Sequence, residues 1–254
     1  MKVEARLEIR DVRLNFGEIE ALRGVDCGVP SHGITALIGP NGAGKTALLN
    51  TVSGIYRPQS GEVLLDGEDL VGLPPHAVAK AGVGRSFQHL ELFPRLTVTE
   101  NLLVARDFLF SGDPVSSMVF YGPARRQEMR HREAVESIVD FFELWPYRDV
   151  LAKTLPYGVQ KIVGFARAMA SEPKLLLLDE PGSGLTRDEK EDLARFLLRL
   201  RDDRKIPILW IEHDLDMVLD LADRIYALDL GRVIASGDPG EIRDNAAVAA
   251  SYVG

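Results

Sequence analysis

The sequence predicts an α/β fold whose core is a mainly parallel β-sheet. Three short apolar runs, at residues 34–38, 175–178 and 206–211, read as strands. They are continuous rather than alternating, as expected for central parallel strands that are buried on both faces. A helical run follows the first of these strands at 46–53, and an amphipathic helix follows the second at 188–201, which is the alternation of an α/β core.

Length and composition limit the possible functions. The chain has 254 residues, 46% of them hydrophobic, which is enough for one or two compact domains with a substantial core. A net charge of −8 does not favour a nucleic-acid groove. Cys27 is the only cysteine, so no internal disulfide can form, and this suits a reducing cytoplasm. No apolar stretch approaches the roughly 18 residues of a membrane span, and we expect other chains to supply any membrane part.

Residues 39–46 read GPNGAGKT and fit the phosphate-binding pattern G-x-x-x-x-G-K-[ST]. Gly42 and Gly44 let the backbone turn its N–H groups onto phosphate oxygens, and the following helix adds its positive end. Lys45 would reach the β- and γ-phosphates, and the Thr46 hydroxyl would hold Mg²⁺. The alternative is a plain glycine-rich turn between strand and helix. The predicted nucleotide-binding residues are Gly39, Pro40, Asn41, Gly42, Ala43, Gly44, Lys45, Thr46 and Ala47.

An antiparallel hairpin is predicted before this loop. Leu7, Ile9, Val12 and Leu14 mark its first strand, its second spans 21–29, and Phe16-Gly17 lies in the turn. Phe16 would either stack on the adenine of a bound nucleotide or pack in the core.

Shorter elements follow the loop. We expect a strand at 61–66, a helix at 75–81 opened by prolines, and a strand at 82–87 that ends at Gln88. Gln88 is either an ordinary polar terminus or a group that reaches Mg²⁺ or the attacking water.

Residues 93–172 change to a pattern of helices and loops. A capping box at 97–100 begins one helix, residues 107–123 look irregular, and 125–142 resumes helical spacing. Residues 155–161, LPYGVQK, would form a loop before a helix at 162–170. The basic cluster of Arg125, Arg126, Arg130 and Arg132 is either a solvated face or a contact with a partner or anionic headgroups.

Polar groups are predicted at the carboxyl ends of two strands, where open α/β sheets bind their ligands. Asp179 suits Mg²⁺, directly or through water, and Glu180 would orient or deprotonate an attacking water. The other strand ends at His213, although a single histidine at a strand end is usually incidental. Residues 228–235 predict a final hairpin around Gly231.

Phe16, GPNGAGKT, Gln88, LPYGVQ, LLLLDEP and His213 follow one another in this order. The chain therefore resembles, over nearly its whole length, the ATP-binding subunit of ATP-binding-cassette (ABC) transporters. Within that family it is similar to the branched-chain (hydrophobic) amino-acid uptake group. The segments that suggest this group are 80–105, 209–239 and the SYVG end.

The resemblance implies a P-loop ABC ATPase core at 1–92 and 173–254, with an antiparallel β subdomain and an inserted α-helical subdomain at 93–172. It implies an ATPase that uses ATP and Mg²⁺. Phe16 would stack on adenine, Gln88 would couple Mg²⁺ to the permeases, Glu180 would be the catalytic carboxylate, and His213 would contact the γ-phosphate. Lys45 and Gln88 join these last two as catalytic residues, and Thr46, Gln88 and Asp179 would be the metal ligands.

The resemblance also implies partners and a location. Two such subunits would enclose two ATPs on the cytoplasmic face of the cell membrane, together with two permease subunits and, indirectly, an extracytoplasmic solute-binding protein. No nucleic-acid partner is expected. ATP-driven closure and opening of the pair would drive the permeases. The signature residues Pro156, Tyr157 and Gly158 would face the ATP of the opposite subunit.

Three positions depart from the family pattern. Pro156 replaces a serine that donates to the γ-phosphate of the opposed ATP, Val159 replaces a common glutamine, and Thr186 replaces Asp or Asn. Proline has neither a hydroxyl nor a backbone N–H to donate, and loss of such a bond corresponds to about 1.5–3 kcal/mol. We therefore expect a heterodimer, in preference to a homodimer, in which the ATP on this subunit is hydrolysed and the partner's ATP is handled more slowly.

Other classes fit less well. A soluble ABC-type ATPase that is not coupled to transport is the main alternative, but neither long coiled-coil insertions nor a second cassette is present. A P-loop GTPase or kinase lacks an Asn-Lys-x-Asp guanine motif here. A module that binds ATP without hydrolysing it is disfavoured by Glu180.

Overall fold

The computed structural model describes residues 5–86, 92–106, 109 and 123–252, with the backbone alone for 123–127. The chain forms two compact units. The first combines Met1–Gln88 with Lys174–Gly254, and the second is His89–Pro173. Because the first unit is made from both ends of the chain, the second is an insertion in it.

The first unit contains a six-stranded sheet whose strand order is β10-β9-β3-β8-β7-β6. All neighbours pair in parallel except β9 and β10, which form an antiparallel hairpin. This confirms the predicted mainly parallel sheet and the final hairpin. The strands are β3 (Ile34–Ile38), β6 (Val83–Ser86), β7 (Leu175–Asp179), β8 (Ile208–Ile211), β9 (Arg224–Asp229) and β10 (Arg232–Gly237).

A second, antiparallel sheet in the same unit has the order β2-β1-β4-β5. Its strands are β1 (Ala5–Phe16), β2 (Ile19–Pro30), β4 (Ser60–Leu65) and β5 (Glu68–Asp69). Apolar side chains of β1 and β2 pack with those of the parallel sheet in one core, which also receives Leu48 and Leu49 of the helix after β3. The predicted antiparallel β subdomain is thus present.

The first unit has six helices among the residues described, and two of them follow the last strand, β10. They are α1 (Lys45–Val52), α2 (Pro75–Ala81), α6 (Arg187–Asp202), α7 (Leu215–Leu221), α8 (Pro239–Arg243) and α9 (Ala246–Ser251). Thr186 is the N-cap of α6 and forms a capping box with Glu189, which is a structural use for the residue that departs from the family pattern.

The second unit is helical, with α3 (Val98–Ala105), α4 (Pro123–Phe141) and α5 (Tyr157–Ala170). The predicted capping box of Thr97 and Glu100 begins α3. Buried Arg106 ties the three helices together: it donates to Nδ1 of His131 on α4 at 3.0 Å, to the carbonyl of Ala170 at 2.9 Å and to Glu172 at 2.7 Å.

Several predicted boundaries are wrong, and three of them lie beside predicted site residues or helix starts. Phe16 belongs to β1, and β2 begins at Ile19, because the hairpin turn is only two residues long. The helix after Pro156 begins at Tyr157 rather than five residues later, since Pro156 takes the extended N-cap conformation and its carbonyl accepts from Gln160 N–H at 3.0 Å. Pro123 starts a helix instead of ending an irregular segment, as proline is tolerated in a first turn. Most of that segment, 107–108 and 110–122, lies outside the described residues.

Across the described ranges, we find no helix that combines the length and the apolar character needed to cross a membrane.

Candidate functional site

The phosphate-binding loop connects β3 to α1 and needs glycine at several points. Gly42 and Gly44 have φ values of +83° and +104°, in the region that favours glycine. A Cβ on Gly44 would lie 2.7 Å from the carbonyl oxygen of Ala21. Gly44 is the N-cap of α1 and makes no side-chain cap, so the first N–H groups of the helix remain available to an anion.

Lys45 is buried inside this loop. Its Nζ donates to the carbonyl oxygens of Gly39 at 2.6 Å and Pro40 at 3.0 Å. Burial lowers the pKa of Lys45, while Glu180 and Asp179 oppose the shift. The loop therefore holds its own cation against backbone carbonyls that a phosphate oxygen could replace as the partner.

A cavity of about 310 Å³ opens over the loop. Residues from four parts of the first unit line it, namely Ile19, Glu20, Ala21, Asn41, Gly42, Ala43, Gly44, Lys45, Thr46, Ala47, Glu180 and His213. The predicted phosphate-binding residues 41–47 therefore meet Glu180 and His213, two of the four predicted catalytic residues, at one space. Gly39 and Pro40 do not line the cavity, but their carbonyl oxygens hold the ammonium group of Lys45, which does.

Glu180 and His213 contact each other at the edge of this cavity. Nε2 of His213 lies 2.5 Å from Oε1 of Glu180, where an Nε2–H donates to the carboxylate. Glu180 follows β7 in a left-handed conformation with φ of +48°, which is strained for a residue with a side chain. Its backbone N–H donates to the carbonyl of Ile211 at 2.9 Å. The histidine is thus not incidental in this fold, since it touches the carboxylate predicted to be catalytic.

Asp179 ends β7 and is 4% exposed. Its Oδ2 accepts from Nη2 of Arg85 at 3.2 Å, and Arg85 also donates to Asn50 and Ser53 on and after α1. Burial raises the pKa of Asp179, while Arg85 opposes the rise. Oδ1 of Asp179 is buried and has no hydrogen-bond partner among the residues described. That unsatisfied carboxylate oxygen fits a Mg²⁺ ion or a water bound to one.

Other predicted site residues are placed differently. Phe16 is 46% exposed and its ring packs edge-on against Tyr56, with centroids 5.0 Å apart. Pro156, Tyr157 and Gly158 form the start of α5 in the helical unit, where the Tyr157 side chain is 48% exposed. Gln88 lies outside the described residues.

Sequence reasoning missed three residues that bear on this site: Arg85, Glu212 and Tyr252. Arg85 is the one charged residue of β6, and Glu212 directly follows the apolar run of β8, so one was visible as a charge within a strand and the other as a charge at a strand end. No sequence pattern marks Tyr252 as a site residue, yet its phenolic oxygen accepts a hydrogen bond from the backbone N–H of Gly39.

Comparisons with known proteins agree with this geometry. The family model described as ABC transporter matches residues 22–183. The chain is 38% identical to BraF of Pseudomonas aeruginosa and 36% identical to LivG of Escherichia coli, covering 98% of this chain and 97% of each relative. Both are described as high-affinity branched-chain amino acid transport ATP-binding proteins. The crystal structure of the ADP conformation of MJ1267, an ATP-binding cassette of an ABC transporter, is 30% identical with a TM-score of 0.85, over 98% of this chain and 99% of that one.

Proposed function

The chain belongs to the ABC transporter family and is an ATPase, and we propose that it powers an importer of branched-chain or other hydrophobic amino acids. The observation that carries the catalytic part is the cavity in which Lys45, Glu180 and His213 meet. The substrate class rests on the names of BraF and LivG. The permeases and a solute-binding protein, rather than this chain, would select the transported molecule.

ATP would place its phosphates on the loop between β3 and α1. Backbone N–H groups and the start of α1 supply donors, and Lys45 exchanges the carbonyls of Gly39 and Pro40 for the β- and γ-phosphates. Burial lowers the pKa of Lys45 and so disfavours its charged form. A phosphate anion beside Nζ would stabilise the ammonium group. Phe16, at the end of β1, would stack on the adenine.

Mg²⁺ would be held by Thr46, Asp179 and Gln88, together with phosphate oxygens. When bound, the ion neutralises phosphate charge. The residues fit this role. Thr46 is an exposed residue in the first turn of α1, and Oδ1 of Asp179 is a buried oxygen without a hydrogen-bond partner in the described chain. Arg85 donates to Oδ2 of Asp179 and so leaves the buried Oδ1 as the oxygen that would bind the ion.

Hydrolysis would use the pair at the edge of the cavity. Glu180 would accept a proton from the attacking water or orient it, and His213 would donate to the γ-phosphate from its ring. In the structure the His213 ring is engaged with Glu180, so binding of the γ-phosphate competes for the same Nε2–H. This competition would release the carboxylate when ATP is present.

A second ATP-binding subunit would complete each site. The start of α5, at Tyr157 and Gly158, would face the partner's ATP through helix N–H groups, with Pro156 unable to donate. We therefore favour a heterodimer in which this chain's own ATP is turned over and the partner's ATP turns over more slowly. The helical subdomain, 93–172, would receive the permeases at the cytoplasmic face of the membrane.

The experiment is a mild-detergent pull-down of the tagged chain from its native cell, followed by turnover assays on the complex. We expect two polytopic membrane proteins and a second ATP-binding subunit. Ribosomes, DNA-bound proteins or no membrane protein would instead support a soluble ABC-type ATPase that is not coupled to transport.

The heterodimer has its own assay. Glu180→Gln in this chain should abolish most ATP turnover of the reconstituted pair, because the partner's ATP faces the Pro156 signature. The equivalent change in the partner should leave measurable turnover. Loss of all activity from the partner change would contradict the proposed asymmetry.

A further inference from the structure

Glu212 is a buried carboxylate that the proposed hydrolysis does not use. It follows β8 directly and is 4% exposed. Both of its oxygens accept backbone N–H groups: Oε1 from His213 at 2.8 Å and Oε2 from Gly182 at 3.1 Å. A buried charge is retained at a position only when it is hydrogen-bonded or paired, and here its partners belong to two different loops.

These two loops carry the catalytic pair. Gly182 lies two residues after Glu180, in the loop that leaves β7, and His213 lies in the loop that leaves β8. The last paired residues of the β7–β8 ladder are Asp179 and Ile211. Beyond the end of the ladder, Glu212 joins the two loops through its hydrogen bonds. The contact between Glu180 and His213 is made by these same loops.

The packing around Glu212 leaves little freedom. A Cβ on Gly182 would lie 2.9 Å from Oε2 of Glu212, so any side chain at this position would displace the carboxylate from its present place. Lys190 of α6 provides the nearby positive charge: its Nζ lies 2.7 Å from Asp214, and Glu212 also acts on it electrostatically. The carboxylate thus has fixed donors on two sides and a cation close by.

We infer that Glu212 is a positioning residue for hydrolysis, which acts by holding the loop of Glu180 and the loop of His213 in register. This inference rests on the proposed function, because the register matters only if Glu180 and His213 act on ATP. It assigns Glu212 no contact with ATP. The consequence is that its loss should slow turnover while ATP binding at the phosphate loop persists.

The test is Glu212→Gln in the full chain, purified with its partners. Glutamine keeps the length of the side chain but turns an amide NH₂ towards one of the two N–H donors. We expect kcat for ATP to fall about 10- to 100-fold, as for loss of a hydrogen bond to a charged group. The Kd for a fluorescent ATP analogue should change less than about 2-fold, and the thermal midpoint should show that the variant is folded. Glu241→Gln is the matched control, since Glu241 accepts the backbone N–H of Asp238 in the capping box of α8, away from the pair.

Two further variants separate positioning from general support of the fold. Gly182→Ala keeps the carboxylate but pushes it away, and should reproduce the loss of kcat. In the background of His213→Ala, Glu212→Gln should add less than about 2-fold, because residues that act as one unit are not additive.

The outcomes distinguish the inference from the proposed function. If the unaltered complex neither binds nor hydrolyses ATP, the proposed function fails. If the unaltered complex is active and Glu212→Gln retains its kcat, or loses ATP binding and folding in parallel with kcat, the positioning role is overturned. Additive losses with His213→Ala would overturn it as well.

Discussion

The hydroxyl of Tyr252, in the last residues described, accepts a hydrogen bond from the backbone N–H of Gly39 at 2.8 Å. Gly39 opens the phosphate loop, and its carbonyl accepts from Lys45. The helix before Tyr252, α9, is capped by Asn245 and anchored by buried Val248. Gly39 thus links Tyr252 to Lys45: its N–H binds the tyrosine hydroxyl, and its carbonyl binds the lysine ammonium group.

Tyr252→Phe should weaken ATP binding. The change leaves the N–H of Gly39 without its acceptor, and loss of a neutral hydrogen bond corresponds to about 0.5–1.5 kcal/mol, or roughly a 2- to 12-fold rise in Kd. Titration with a fluorescent ATP analogue measures it. Tyr147→Phe removes a hydroxyl in the helical unit and is the control. An unchanged Kd in Tyr252→Phe would show that the loop keeps its shape without this bond.

Arg85→Met should destabilise the first unit. Arg85 is the buried cation beside Asp179, with side-chain exposures of 8% and 3%, and removing one member of a buried ion pair costs about 3–5 kcal/mol. Urea unfolding measures the free energy. In the background of Asp179→Asn the same change should cost less, because no buried anion is then left unpaired. Equal losses in both backgrounds would mean that Arg85 acts through Asn50 and Ser53 instead.

His131 should make stability depend on pH. Burial, and then Arg106, lowers the pKa of His131 below its ordinary value near 6.5. The unfolded chain therefore binds the proton more readily, so stability is full above about pH 6.5 and is lost as the pH falls below it. The slope is at most about 1.4 kcal/mol per pH unit.

Urea unfolding of the full chain between pH 7.5 and 5 measures this dependence. His131→Asn should flatten it, since an amide oxygen can accept from Arg106 at any of these pH values. His32→Asn, at an exposed histidine, should leave the slope as it is. A slope that survives in His131→Asn would assign the pH dependence to other groups.

Phe16→Ala should weaken the binding of ATP more than that of inorganic triphosphate. Stacking of a base on an aromatic ring contributes about 1–3 kcal/mol, and triphosphate has no base to stack. Competition titrations with both ligands measure the difference. If both ligands lose affinity equally, Phe16 supports the hairpin through Tyr56 and does not contact the adenine.

Local patterns in the sequence were sufficient for the phosphate loop, the parallel sheet and the position of Asp179 and Glu180. These features depend on residues that are close in sequence: glycines that permit positive φ, a lysine beside them, and carboxylates at the end of an apolar run. The capping box of Thr97 and Glu100 was predictable for the same reason.

The sequence did not reveal contacts between distant residues. Tyr252 follows α9, which packs on β10, and Gly39 follows β3. The two residues meet because only β9 separates β10 from β3 in the sheet. Arg85 reaches Asp179 because β6 and β7 pair in the sheet, although the helical unit separates them in the sequence. The carboxylate of Glu212 reaches Gly182 through the pairing of β7 and β8. In each case the sheet order, rather than a local motif, decides the partner.

The order of strands also bears on how the protein is made. Within the parallel sheet β3 pairs only with β8 and β9, where Ile34 lies opposite Ile208 and Thr35 opposite Arg224. Synthesis at about 5–20 residues per second leaves β3 without either neighbour for on the order of ten seconds or more. During that time an apolar strand with both edges open is a site for mispairing. A chain that stops before residue 208 therefore contains the whole phosphate-binding sequence but neither of the strands that hold it in place.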